Sequence, residues 1–249
     1  MSILKTIGSF VFSLYCWLGT LVWMMVTSLL LSPIMWLLGP DKGHRFVSYP
    51  SLGWVIPLCF IRVKKHYHPD YDPEVRGVYL QNHVSVLDGS MATYTLPHAF
   101  CGLFNSWHFR VPGYGWVMRL SKGIGVPSAK EGRSEKLSAA VRDRVRNFNI
   151  SVLAFPEGHR TLDGNVGEFR RGAFFMARDA GVPVIPFVQR GMFECQNKLS
   201  MAFRPGTVDV YFGKPIETAG LDDEQIAELA DHCQRIHELW VEGQKMPQL

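Results

Sequence analysis

Between Lys5 and Asp41 the chain carries no charged residue. The uncharged run from Thr6 to Pro40 includes Trp17, Trp23 and Trp36 among Leu, Val, Met and Phe, and it is long enough for a membrane-embedded helix of about 20 residues. A cleaved signal peptide fits poorly, because its apolar region is about 7–15 residues long and ends at a small-residue cleavage site. Pro33 and the pair Gly39-Pro40 are expected to kink and then end this segment. A second apolar stretch, Phe46 to Ile61, is interrupted by Pro50, Gly53 and Pro57. It is too short and broken for a span and reads as a re-entrant or interfacial element. Residues 1–61 are therefore expected to form a membrane-embedded helical hairpin and residues 62–249 a separate domain. The cations around the second stretch, Lys42, Arg45, Arg62, Lys64 and Lys65 with His44, place that domain on the cytoplasmic side by the positive-inside tendency. The competing reading is a buried apolar hairpin in a soluble protein.

After the hairpin, short apolar runs alternate with helical periodicity. Strands are expected at Arg62–Lys65, Gly77–Leu80, Ala99–Phe104, within Met118–Val126, and at Ser151–Phe155, Val182–Val188 and Thr207–Phe212. Helices are expected from Val86 to Thr95, from Ser134, from Phe169 to Asp179, and from Asp222 with Ile226, Leu229, Ala230, Cys233, Ile236 and Trp240 on one stripe. That alternation predicts an α/β fold with a mixed, largely parallel sheet flanked by helices. The net charge of +4 favours anionic partners such as phospholipid headgroups, but is too weak to argue for nucleic acid. Five scattered cysteines form no Cys-x-x-Cys pair and no Cys/His metal spacing, so neither a disulfide scaffold nor a metal site is expected.

Polar residues begin at the end of the second strand. His83 follows Gln81-Asn82, and Asp88 lies five residues further on, with Ser85 placed to cap the intervening helix. A carboxylate holding one imidazole nitrogen leaves the other free to take a proton from a hydroxyl. With nine histidines in the chain such a pair arises easily by accident, but no other histidine has Asp at that offset. Ligands gather at the carboxyl ends of strands in open α/β sheets, and Pro156-Glu-Gly-His-Arg-Thr161 follows another such end. Arg160 offers a planar fork for a phosphate, and Arg170 and Arg171 add positive potential. A Glu-Gly-x-Arg turn alone is more often a surface ion pair. The basic stretch from Arg119 to Arg146 suits an acidic carrier, coenzyme A phosphates or an anionic leaflet, and equally a solvated helix face. His66, His68, His232 and His237 read as surface or packing residues.

Three segments in order, Asn82-His83-x-Ser85-x-x-Asp88, Phe155-Pro-Glu-Gly-x-Arg160 and Val182-Pro-Val-Ile-Pro-Phe187, together resemble the glycerolipid acyltransferase superfamily, most closely its 1-acylglycerol-3-phosphate acyltransferases. Phe169-Arg-Arg-Gly-Ala-Phe and Val111-Pro-Gly-Tyr-Gly-Trp116 are similar to further stretches of that family. The resemblance implies acyl transfer from a thioester to the sn-2 hydroxyl of a lysolipid to form phosphatidic acid. His83 would be the base and Asp88 its orienting partner, with Glu157, Gly158, Arg160, Lys130 and Arg171 binding the acceptor and Val182, Pro183 and Pro186 shaping the acyl pocket. No cofactor would be bound; acyl-coenzyme A or acyl-acyl carrier protein would be the co-substrate. A Ser85-His83-Asp88 triad is disfavoured, since no Gly-x-Ser-x-Gly elbow surrounds Ser85. His159 stands where the family usually has Thr, and Lys130 where relatives often have Arg, which bears on the acceptor headgroup. Another lysophospholipid or lyso-aminolipid as acceptor, and a non-catalytic membrane lipid-binding protein, are the alternatives.

Overall fold

The computed structural model describes residues 3–110, 118–126 and 132–244. Its first element, α1 (Ile3–Gly43), passes Pro33 without ending. Pro33 has no N–H for the Leu29 carbonyl, and the Ser32 hydroxyl donates to that carbonyl instead, at 3.2 Å. The expected break comes only at Gly39 (φ 74°, ψ 174°). There Pro40 opens a second helical piece, in a position where its missing N–H costs little. The stretch His44–Gly53 is π-helical and α2 follows at Val55–Leu58. This segment lies against α1: Trp23 Nε1 donates to Pro50 O at 2.9 Å and the Trp23 and Trp54 rings stack at 6.2 Å.

Seven strands follow: β1 (Ile61–Tyr67), β2 (Val78–Gln81), β3 (Phe100–Asn105), β4 (Ile124–Val126), β5 (Ser151–Ala154), β6 (Val184–Arg190) and β7 (Gly206–Phe212). They form one sheet in the order β1-β7-β6-β2-β5-β3-β4. Every neighbouring pair is parallel except β6 and β7. Between the strands lie α3 (Asp88–Thr95), α4 (Arg133–Arg146), α5 (Gly172–Ala180) and the single turn α6 (Met192–Cys195), and α7 (Asp223–Val241) closes the fold. The mixed, mostly parallel sheet flanked by helices is the architecture the alternation predicts.

Alternation along β2 shows why the sheet needs cover on both faces. Tyr79 joins one apolar cluster with Met91 and Ala92 of α3, Val55 and Ile56 of α2 and Cys16 of α1. Val78 and Leu80 join another with Val141 of α4, Phe174 of α5 and Ile226 of α7. The six stripe residues expected on the last helix are all buried, and Asp222 caps it with Gln225 in a reciprocal box.

Several boundaries depart from the sequence expectation. The helix after Ser85 begins at Asp88, and Leu87 occupies the cap position without a side-chain bond. Arg133 rather than Ser134 starts α4, after Gly132 in left-handed conformation. Residues 169–171 belong to a loop that serves the site, so α5 begins only at Gly172. Val182 and Pro183 precede β6.

Candidate active site

Where β2 ends, Asn82 continues its ladder with a side chain. Its amide donates to Gln189 O and its carbonyl accepts the Gln189 N–H, both at 2.9 Å, so the next backbone turns away from the sheet and sets His83 at the strand end. Asp88, first residue of α3 and 1% exposed, points back into this turn. Its Oδ2 accepts from Val84 N at 2.7 Å and lies 2.7 Å from His83 Nδ1. Its Oδ1 accepts from Ser85 N at 3.0 Å and Gln189 Nε2 at 2.6 Å. A carboxylate offered these donors can only accept, so Nδ1 is the protonated nitrogen and Nε2 carries the lone pair. Phe155 stacks on the imidazole with ring centroids 4.1 Å apart, and His83 keeps a quarter of its side chain exposed.

Ser85 is not the helix cap expected of it. Buried at 1% exposure, its hydroxyl donates to Gln196 Oε1 and accepts the Leu87 N–H at 3.1 Å. These bonds direct it away from the imidazole, which also removes the triad reading. Gln189 and Gln196 are the residues that sequence reasoning missed. Gln189 left one signal, a polar residue at the carboxyl end of an otherwise apolar buried strand. Nothing in the sequence marks Gln196.

The second constellation is sewn to the first through the backbone. Glu157 Oε1 accepts the His83 N–H at 2.7 Å, and Thr161 N donates to His83 O at 2.8 Å. The other carboxylate oxygen of Glu157 accepts Gly167 N at 2.8 Å. Burial pushes this carboxyl above the usual carboxylate range, and the two backbone donors pull it back. Expected as an acceptor ligand, Glu157 is thus bound up as a clamp on the histidine loop. Gly158 has φ +76°, and a Cβ there would come within 2.9 Å of the Arg170 guanidinium, so its conformation and the space above it both require glycine. Beside it an open cavity is lined by Glu157, His159, Glu168, Phe169, Arg170 and Arg171. The Arg160, Arg170 and Arg171 guanidinium groups form no ion pair with a described residue, unlike the surface pair a Glu-Gly-x-Arg turn usually makes.

Other expected residues lie elsewhere. Lys130 and the stretch Val111–Trp116 fall outside the described residues. Val182 and Pro183 lie just before β6 and Pro186 within it. Pro183 O accepts Val78 N at the start of β2, the end of that strand away from His83. Val182 belongs to the cluster under α4, α5 and α7. Pro186 sits in mid-strand opposite Leu80 and against Gly213. All three are held in or beside β6 by these contacts. His66, expected as a surface or packing residue, is exposed and lies 2.7 Å from Asp209, and His237 is a packing residue with no exposure. In the basic stretch, Arg142 donates to Ala180 O and Arg144 to Lys122 O, so these cations brace the fold.

With this geometry in view, comparison with known proteins is informative. The family model described as Acyltransferase matches residues 61–190, which contain both constellations. A 1-acyl-sn-glycerol-3-phosphate acyltransferase of Limnanthes douglasii is 26% identical over 67% of this chain and 58% of its own length. The human 1-acyl-sn-glycerol-3-phosphate acyltransferase beta is 28% identical over 78% of this chain and 71% of its own length. Against the Limnanthes relative, then, the chain spans under two thirds of the length. The crystal structure of the 1-acyl-sn-glycerophosphate (LPA) acyltransferase PlsC from Thermotoga maritima superposes with a TM-score of 0.79 at 20% identity, covering 96% of this chain and 97% of that one. The fold is therefore shared along nearly the whole length.

Proposed function

We propose that this chain, which belongs to the Acyltransferase family, moves a fatty acyl group from a thioester to the sn-2 hydroxyl of 1-acylglycerol-3-phosphate, forming phosphatidic acid. His83 Nε2 removes the hydroxyl proton as the oxygen attacks the thioester carbonyl. The C–O bond forms, the C–S bond breaks, and the imidazolium returns the proton to the departing thiolate. Asp88 stabilises the imidazolium and fixes the ring. The observation that carries this reading is the 2.7 Å contact of His83 with a buried carboxylate whose other donors are all structural.

The acceptor's phosphate is assigned to Arg160 and Arg171, joined by Arg170, whose guanidinium groups form no ion pair with a described residue and suit a bidentate oxyanion. Gly158 keeps the turn open and Glu157 holds its position; Lys130 remains part of the proposed acceptor set. The donor is acyl-coenzyme A or acyl-acyl carrier protein. Residues 1–61 anchor the protein at the cytoplasmic face, with Lys42, Arg45, Arg62 and Lys64 towards anionic headgroups, and residues 62–249 carry the chemistry. Support for the anchor comes from α1, which is long and apolar enough to cross a membrane and little buried by the rest of the chain. His159 in the cavity wall favours one second reading, a different lysophospholipid or a lyso-aminolipid acceptor, which an acceptor panel separates from the first.

The deciding experiment is His83→Ala. Transfer is expected to fall about 10³-fold or more, while the protein still partitions with membranes. Activity retained in a folded His83→Ala protein removes His83 as the base.

A further inference from the structure

The seam between α1 and the body runs along Ser13 and Trp17. The Ser13 hydroxyl accepts Phe203 N at 3.0 Å, Trp17 Nε1 donates to Met201 O at 2.8 Å, and the Trp17 and Phe203 rings meet edge to face at 5.1 Å. Phe10, Leu14 and Leu21, three or four residues from Ser13 or Trp17 and so on the same side of the helix, are exposed. The partner in this seam is the loop from α6 to β7, which is internally tied: Leu199 N donates to Asn197 Oδ1 and Ala202 N to Ser200 Oγ, both at 3.0 Å. Yet this ordered loop holds out Leu199, 67% exposed, and Met201, 70% exposed. Lys198 and Arg204, also exposed, flank them and form no ion pair with a described residue.

The same loop reaches the histidine. Gln196 Oε1 accepts from Ser85 Oγ and from Val86 N at 3.3 Å, while Gln196 Nε2 donates to Asn197 O and Ser200 O. Val86, three residues past His83, is 48% exposed. Exposed apolar surface therefore runs from α1 across Met201 and Leu199 and reappears at Val86, on segments joined by hydrogen bonds. A fixed loop that presents two large apolar side chains between two cations matches a bilayer, whose acyl chains take the former and whose phosphates take the latter.

We propose that Leu199 and Met201, with Val86 beside the histidine, form a second lipid-contacting surface that enters a phospholipid bilayer next to α1. A lysolipid then reaches His83 sideways from the membrane instead of from water. This rests on the reading of α1 as a lipid-embedded anchor and of the acceptor as a lysolipid.

The test uses the full chain. All five native cysteines are buried, so a cysteine introduced at an exposed position can be labelled selectively with an environment-sensitive fluorophore. Leu199→Cys is compared with Leu18→Cys on α1 and Glu228→Cys on the far helix, in phosphatidylcholine–phosphatidylglycerol vesicles carrying quencher-bearing lipids. Labels at 18 and 199 are expected to be quenched and blue-shifted, and the label at 228 to report water. Quenching at 18 without quenching at 199 overturns the second surface and leaves the anchor standing; water at both positions removes the anchor reading and this inference with it. In a second arm, Leu199→Ser with Met201→Ser is expected to raise the apparent KM for a vesicle-borne acceptor about fivefold or more, with turnover of a short-chain, water-soluble acceptor unchanged. Equal loss on both acceptors overturns the proposal, and if this double variant does not fold, the label positions decide.

Discussion

The turn from Asn82 to Asp88 and the turn from Glu157 to Arg171 lie side by side and are built on opposite terms. In the first, the Asp88 carboxylate is fully engaged and the Ser85 hydroxyl both donates and accepts. In the second, Arg160, Arg170 and Arg171 form no ion pair with a described residue. A group that must present one nitrogen in one direction gains from being held rigidly. A guanidinium meant for a ligand's phosphate is weakened by any carboxylate it already holds. Local bracing thus separates residues suited to proton transfer from residues suited to binding.

Substitutions can break that contrast. The largest effect beyond loss of His83 itself is expected from Asp88→Asn, which replaces one accepting oxygen by a donor facing His83 Nδ1 and the Val84 and Ser85 N–H groups. kcat should fall about 10²–10³-fold while acceptor KM changes little; steady-state kinetics with the acceptor varied checks this. In the open turn the reverse is expected. Arg160→Ala should raise acceptor KM about 10–100-fold, as for a lost charge-assisted hydrogen bond, with a smaller change in kcat. Glu157 sharpens the comparison because it touches both turns. Glu157→Gln puts an NH₂ against a backbone N–H it now accepts, so kcat should drop about tenfold with acceptor KM unchanged. A rise in KM alone would return Glu157 to the acceptor-binding group.

The smallest effect concerns pH. Burial pushes His98 and His237 down to about 4 from the ordinary 6.5. A depressed histidine favours the neutral form in the folded state, so its contribution to stability is complete above pH 6.5. It is lost as pH falls from there towards 4, because the unfolded chain takes up protons the folded one refuses. Thermal midpoints of purified protein across this window should decline, and His98→Gln should flatten the decline.

Much of this was legible in the chain. Alternating periods announced the sheet and its covering helices, and the spacing of His83 and Asp88 announced their meeting, because a strand end followed by a short turn into a helix brings such residues together. Bonds that depend on register could not be read. Gln189 reaches Asp88 only because β6 lies beside β2 with Gln81 opposite Phe187. For Val182 and Pro183 the sequence shows an apolar strand but not which end of the sheet it starts from. The two bonds of Glu157 were hidden as well, because nothing in the chain marks which backbone N–H groups a buried carboxylate will find.

The antiparallel pairing of β6 with β7 carries a further implication. Because β1 follows the direction of β7, both strands begin, rather than finish, on the border of the sheet where His83 stands. The polypeptide leaving the apolar N-terminal region at Ile61 is thereby delivered straight to the border that carries His83. Had those two strands run the other way, the proposed anchor would join at the opposite border, about 20 Å off for a strand of this length, and the histidine would face away from the lipid it is proposed to serve.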